Sequence, residues 1–170
     1  MQCTTIQNEK VLKMLIDNGE YYTDKKPMAE NLIEPYEFAK KIYGFEHTPI
    51  FLVPSDGLAT CIGATLENSI AITLDIPDEF IKEHYYYEWT DLVYFMENPE
   101  EFEEVFDTDV YPTVEDYGKE ILLNPIGDGN LERQIMVEKI SIDWVKAIET
   151  DTEAVFNRYE ERRQNCVHTS

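Results

Sequence analysis

Basic residues are scarce in this chain: 14 Lys and Arg stand against 35 Asp and Glu, a net charge of −21 over 170 residues. Direct contact with nucleic-acid phosphates or an anionic lipid surface needs several unopposed cations. The basic pairs Lys25-Lys26, Lys40-Lys41 and Arg162-Arg163 each have carboxylates close by, so neither nucleic acid nor membrane is expected as a direct partner. Cysteine is equally sparse. Cys3, Cys61 and Cys166 are scattered singly, with no CxxC spacing and no Cys/His cluster, which argues against a zinc site and against a disulfide framework. Cys61, flanked by Thr60 and Ile62, reads as a small buried side chain. No stretch approaches the run of about 18 apolar residues that a membrane span needs. The opening Met1-Gln-Cys-Thr-Thr-Ile-Gln lacks the basic and apolar regions of a signal peptide, and a reducing cytoplasm is the expected compartment.

Catalytic motifs are missing too. The histidines are His47, His84 and His168, none four residues from another, and no serine sits in a Gly-x-Ser-x-Gly elbow. Gly127-Asp-Gly129 lacks the third glycine of a dinucleotide loop and reads as a turn. Asp107-x-Asp109 starts like a calcium loop, but Tyr111 and Pro112 hold its fifth and sixth positions and Gly118 its last. The required glycine turn and closing bidentate Glu are both absent, so no metal site is expected there. His84 precedes Tyr85-Tyr86-Tyr87, whose rings can either dock a ligand or cover core with their hydroxyls in water. A binding role is favoured over an enzyme.

What is present is enough for one folded core. A strand is expected over Cys3–Ile6, then a helix over Lys10–Asp17 closed by Gly19, and extended chain at Tyr21-Tyr22. Pro35 and Gly44 bracket a second helix, and Pro49 to Val53 reads as a strand. Ile70, Ile72, Leu74 and Ile76 alternate strictly, the clearest strand of all. Helices follow over Glu88–Asn98, from Pro99, and from Thr113 to about Leu122, with Phe102, Val105 and Phe106 on one face of the middle one. Gln134–Ile140 is the expected return strand. Ser141 then caps a helix with Ile142, Val145 and Ile148 inward, and Thr150-x-x-Glu153 restarts it, with Arg158, Arg162 and Arg163 near its end. Strands separated by helices predict an α+β fold with a small mixed or antiparallel sheet, several short helices and a C-terminal helix. One domain over 1–163 and a frayed tail over 164–170 are expected.

Charge is strongly segregated. Residues 61–120 hold 17 acidic and 2 basic side chains, most of the net charge of the chain. Between Glu97 and Glu120 the carboxylates Glu97, Glu100, Glu101, Glu103, Glu104, Asp107, Asp109, Glu115, Asp116 and Glu120 face a single cation, Lys119. A disordered acidic tail would lack aromatics. Here Phe102, Phe106, Tyr111 and Tyr117 are threaded through it at near-helical spacing, so the stretch is expected to fold and to hold its charge in place. Solubility alone is one use of such charge; docking on a basic protein surface is another. The expected function is that of an acidic macromolecule-binding protein, a phage or mobile-element inhibitor. It would block a basic, nucleic-acid-handling partner such as a bacterial defence effector of the CRISPR or restriction type. Its contact residues would be the first nine of those carboxylates, without a cofactor.

Two resemblances bear on this reading. Thr5-Ile-Gln, Val11-Leu12, Leu15, Gly19-Glu-Tyr-Tyr, then Ile72-Thr-Leu-Asp-Ile-Pro-Asp-Glu with Trp89, and Glu138-Lys139 leading to Trp144-Val145, resemble an uncharacterised family of small bacterial and phage domains. Pro49-Ile50-Phe51 stands where that family carries a tryptophan-rich segment. The resemblance implies a cytosolic bacterial or phage protein. The opening order of strand, helix, glycine and Tyr-Tyr is also similar to the start of ADP-ribosyltransferase folds. That similarity implies an alternative, an NAD-using enzyme with Glu138 as catalytic carboxylate and Tyr21 or Tyr22 against the nicotinamide. Thr4, Thr5 and Gln7 stand where such enzymes place Arg or His on the first strand.

Overall fold

Period-two alternation builds the sheet, and each strand divides its side chains between two cores. The computed structural model describes residues 1–57, 67–127 and 132–169. The reading of Cys61 and most of the Gly127-Asp-Gly129 turn lie outside the described residues. In β4 (Ser69–Asp75), Ile70, Ile72 and Leu74 enter one cluster while Ala71 enters another. In β3 (Ile50–Pro54), Ile50 and Leu52 go to the first face, and Phe51 and Val53 to the second. β6 (Arg133–Val137) repeats the pattern with Ile135 and Val137 against Met136.

With β1 (Gln2–Asn8), β5 (Lys82–Tyr85) and β8 (Val145–Glu149), these strands form one antiparallel sheet ordered β5-β6-β3-β1-β4-β8. Helix α1 (Glu9–Asn18) puts Val11 and Leu15 into the first core and stops at Gly19, whose φ of 79° a side chain would strain. β2 (Glu20–Tyr21) then pairs with β7 (Ile140–Ser141) as a separate two-stranded ribbon. The second face is covered by α2 (Ile33–Tyr43), α3 (Tyr86–Glu97) and α5 (Val114–Leu123). These three pack closely because Gly118 carries no side chain. A Cβ there would stand 2.7 Å from Phe38 and 2.8 Å from Leu92. The fold is α+β with a C-terminal helix, α6 (Thr152–Thr169), laid on the same face through Val155 and Tyr159. Among the described residues no helix is long and apolar enough to cross a membrane.

The structure departs from the sequence reading after residue 137. Gln134–Ile140 is two strands rather than one, broken at Glu138, whose carboxylate accepts backbone N–H groups from another loop. Ser141 does cap, its Oγ accepting the Asp143 N–H at 3.3 Å, but the helix it opens is a single 3-10 turn, Ile142–Trp144. Val145 to Glu149 then extends along β4, pairing Ile148 with Ile72. The open edge of β4 offers a ladder of hydrogen bonds, and β-branched Val145 and Ile148 suit it better than a helix. Asp151, not Thr150, caps α6, accepting the Ala154 N–H at 3.0 Å. The arginines expected near the helix end lie mid-helix and tie it to the body: Arg158 binds both Glu149 oxygens, at 2.7 and 3.0 Å, and Arg162 donates to the Ser55 carbonyl. The run His84 to Tyr87 straddles two elements, since β5 ends at Tyr85 and α3 begins at Tyr86.

Candidate functional site: an acidic platform on an aromatic base

The acidic stretch is mounted on rings. α3 ends where Asn98 folds back, its backbone and side-chain N–H groups both reaching the Tyr94 carbonyl. Pro99 sits at the first position of α4 (Pro99–Val105), where its missing N–H leaves no bond unmade. Phe102 is 1% exposed and stacks on Phe106 at 4.8 Å between ring centres. Phe95 meets both edge-on, and Tyr117 of α5 closes the group at 4.7 Å from Phe106. Such aromatic pairs contribute about 0.5–1.5 kcal/mol each beyond area burial. The seven-residue α4, too short to persist alone, is held in place by this packing.

On that base the carboxylates face outward. Glu97, Glu100, Glu103, Glu104, Asp107, Asp109, Glu115 and Asp116 are exposed. Glu101 is half-buried and accepts a hydrogen bond from the Tyr94 hydroxyl, which holds that phenol above its ordinary range. Asp107 accepts the Asp109 N–H at 2.9 Å, closing a turn, and Asp116 shares the capping of α5 with Thr113. These three therefore shape the surface, while the others only present charge. Among the described residues no ion pair involves any carboxylate from Glu97 to Glu120; the pairs that form lie elsewhere. Glu100 has Glu103 and Glu104 at helical neighbour positions, an arrangement of like charges that costs a few tenths of a kcal/mol per pair.

One expected core residue lies on this surface. Val105 is 66% exposed and Val110 62%, so only Phe102 and Phe106 of the expected α4 face point inward. Tyr111 takes over the inward position by packing on Tyr117. The acidic surface therefore carries two bare aliphatic side chains.

The residues of the NAD-using alternative are only partly gathered. Tyr21 lies on β2 opposite Ile140, and Tyr22 follows it with its ring 4.7 Å from that of His47. Tyr22 and Glu138 line one small hollow of about 320 Å³ with Tyr43, Phe45, Phe80 and Lys139. Glu138 lies just past β6, not on it, and its Oε1 accepts the backbone N–H groups of Glu46 at 2.6 Å and His47 at 3.0 Å. That arrangement pins the connection between α2 and β3. Lys139 beside it is paired with Glu20 at 2.6 Å, which holds the Glu20 carboxyl below its usual range.

A buried polar pair escaped the sequence reading. His84 is 0% exposed on β5, its Nε2 donating to Gln134 Oε1 at 2.7 Å, and its Nδ1 has no partner. Burial pushes its pKa down to about 4, with the hydrogen bond to Gln134 opposing part of the fall. His84, Phe51 and Trp89 pack ring on ring at 5.4–6.0 Å. Only tertiary burial distinguishes this histidine from His47, which is half-buried. No family model matches the chain, and neither the curated proteins nor the solved structures provide a match.

Proposed function

We propose that the protein works by binding, and that α4 with its flanking turns is the surface it presents to a basic partner. The observation that carries this reading is the combination of exposed, unpaired carboxylates and bare Val105 and Val110 on a stretch pinned by Phe102 and Phe106. Solubility requires charge but neither its rigid placement nor exposed aliphatics among it. Protein interfaces use apolar contacts within a polar rim, and charge complementarity speeds encounter. Fixed carboxylates of this density can occupy a groove that otherwise holds phosphates. The partner is thus a nucleic-acid-handling protein, such as a bacterial defence effector, and the consequence of binding is inhibition.

The test reverses charges that do no structural work. Glu100, Glu103 and Glu104 are changed together to Lys, leaving Glu101 and Asp116 to hold their hydrogen bonds. Wild type immobilised against a bacterial lysate should retain a basic protein, release it near about 0.5 M salt where screening reaches a few ångströms, and block that protein's binding to DNA. The triple variant, folded by circular dichroism, should retain none. Equal retention by the variant, or a captured partner that still binds DNA, would overturn the proposal.

A further inference from the structure

The sheet is split. β1 and β3 are neighbours in strand order yet pair only at Cys3 with Pro54 and Thr4 with Val53, whereas β1 pairs with β4 along its full length. At the point of separation the Thr5 hydroxyl donates to the Phe51 carbonyl at 3.0 Å and accepts from the Gln7 amide at 2.9 Å. Pro49, just before β3, has no N–H to extend the ladder. Beyond that point a cleft of about 870 Å³ opens, with β1 and the start of α1 on one side and the approach to β3, α2 and α3 on the other. Cavities that take small ligands span about 300–1,000 Å³.

We propose that this cleft binds a small molecule joining a flat aromatic ring to an anionic group. One wall is a preformed ring cluster: Tyr36 lies 4.9 Å from Phe51 and 6.1 Å from Trp89, which are themselves 5.4 Å apart. The buried His84–Gln134 pair backs this wall, with Gln134 on the cleft lining. Such a wall offers a planar ligand stacking area whose ordering is already complete in the free protein. The charges are the second observation. Lys10 and Lys25 line the cleft, are exposed, and form no ion pair with any described residue. The one carboxylate on the lining is Asp24, which sits 2.9 Å from His47 Nδ1. No residue of the stretch from Glu97 to Glu120 contributes. A chain of net charge −21 thus keeps a locally cationic, ring-lined cleft away from its acidic platform. Lys10 also lies in the first turn of α1, where the helix dipole adds to its pull on an anion.

Phosphate and carboxylate both satisfy this chemistry, and calorimetric titration with AMP and with indole-3-acetate separates them. Adenosine and indole serve as the neutral comparators. One of the two anions should bind with a Kd below about 1 mM and quench the fluorescence of Trp89, and its neutral comparator should bind several-fold more weakly. Lys10→Ala with Lys25→Ala, both on the surface, should weaken the anion about tenfold and leave the neutral comparator unchanged. The charge reversal on α4 should leave either affinity as it was, which keeps this test independent of the platform. Failure of both anions to bind at millimolar concentration overturns the proposal. So does binding that ignores the two lysines.

Discussion

Acidification should destabilise this protein through His84. The imidazole is fully buried, its Nε2–H engaged by Gln134 and its Nδ1 without an acceptor, so a second proton has nowhere to point. Its pKa falls from 6.5 to about 4 on folding. Between those values the unfolded chain binds the proton and the native state does not, so stability rises with pH across that window and is lost as pH falls from 6.5 towards 4. Linkage turns the shift into a loss of about 2 kcal/mol at pH 5 and about 3 kcal/mol at pH 4 relative to neutral pH. Against a total of about 5–15 kcal/mol for a domain, that is a large fraction. Glu20, whose carboxyl Lys139 holds below its usual range, also loses stabilisation on acidification, so the measurement must isolate the one group. Urea unfolding of wild type and His84→Leu from pH 7 to pH 4 does so. The leucine removes the hydrogen bond to Gln134 Oε1 at every pH, a constant offset, and the stability of wild type relative to the variant should fall by the stated amounts as pH falls. A difference between the two proteins that is flat with pH would show that His84 is not held neutral by burial.

Two further outcomes follow from the packing. Phe102→Ala, at a side chain 1% exposed among Phe95, Phe106 and Tyr117, should cost about 3–5 kcal/mol and release α4 from the body, read by denaturant unfolding and by hydrogen exchange confined to residues 99–106. Glu138→Ala should cost about 1 kcal/mol by losing the hydrogen bonds from the Glu46 and His47 N–H groups to a charged acceptor, whereas Glu138→Gln keeps an oxygen acceptor and should cost less than half of that. Equal losses for the two Glu138 variants would count against an anchoring role.

Much of the fold was legible locally. Gly19 and Gly44 close α1 and α2 at positive φ, as a glycine after a periodic helical run suggests. The alternation Ile70, Ile72, Leu74, Ile76 names one face of β4 without ambiguity, and all four are buried together. Errors gathered where local signals pointed to one element and long-range pairing offered another. Ser141 is a true cap, yet the edge of β4 captured Val145 to Glu149. Val105 has the spacing of a core residue, yet the short α4 turns only Phe102 inward and the chain leaves the helix before Phe106.

The sequence by itself determined that a dense acidic stretch would fold rather than trail, because aromatic residues recur within it at helical spacing. It also determined the α+β class, since periods of two and of nearly four alternate along the chain. Tertiary structure alone decided which carboxylates stand free and which shape turns, because hydrogen bonds such as Tyr94 to Glu101 join neighbouring helices. It alone separated β1 from β3, bringing Lys10, Lys25, Tyr36 and Trp89 around one cleft. Strand pairing and burial depend on residues far apart in the chain, and no local pattern records where a ladder of hydrogen bonds will stop.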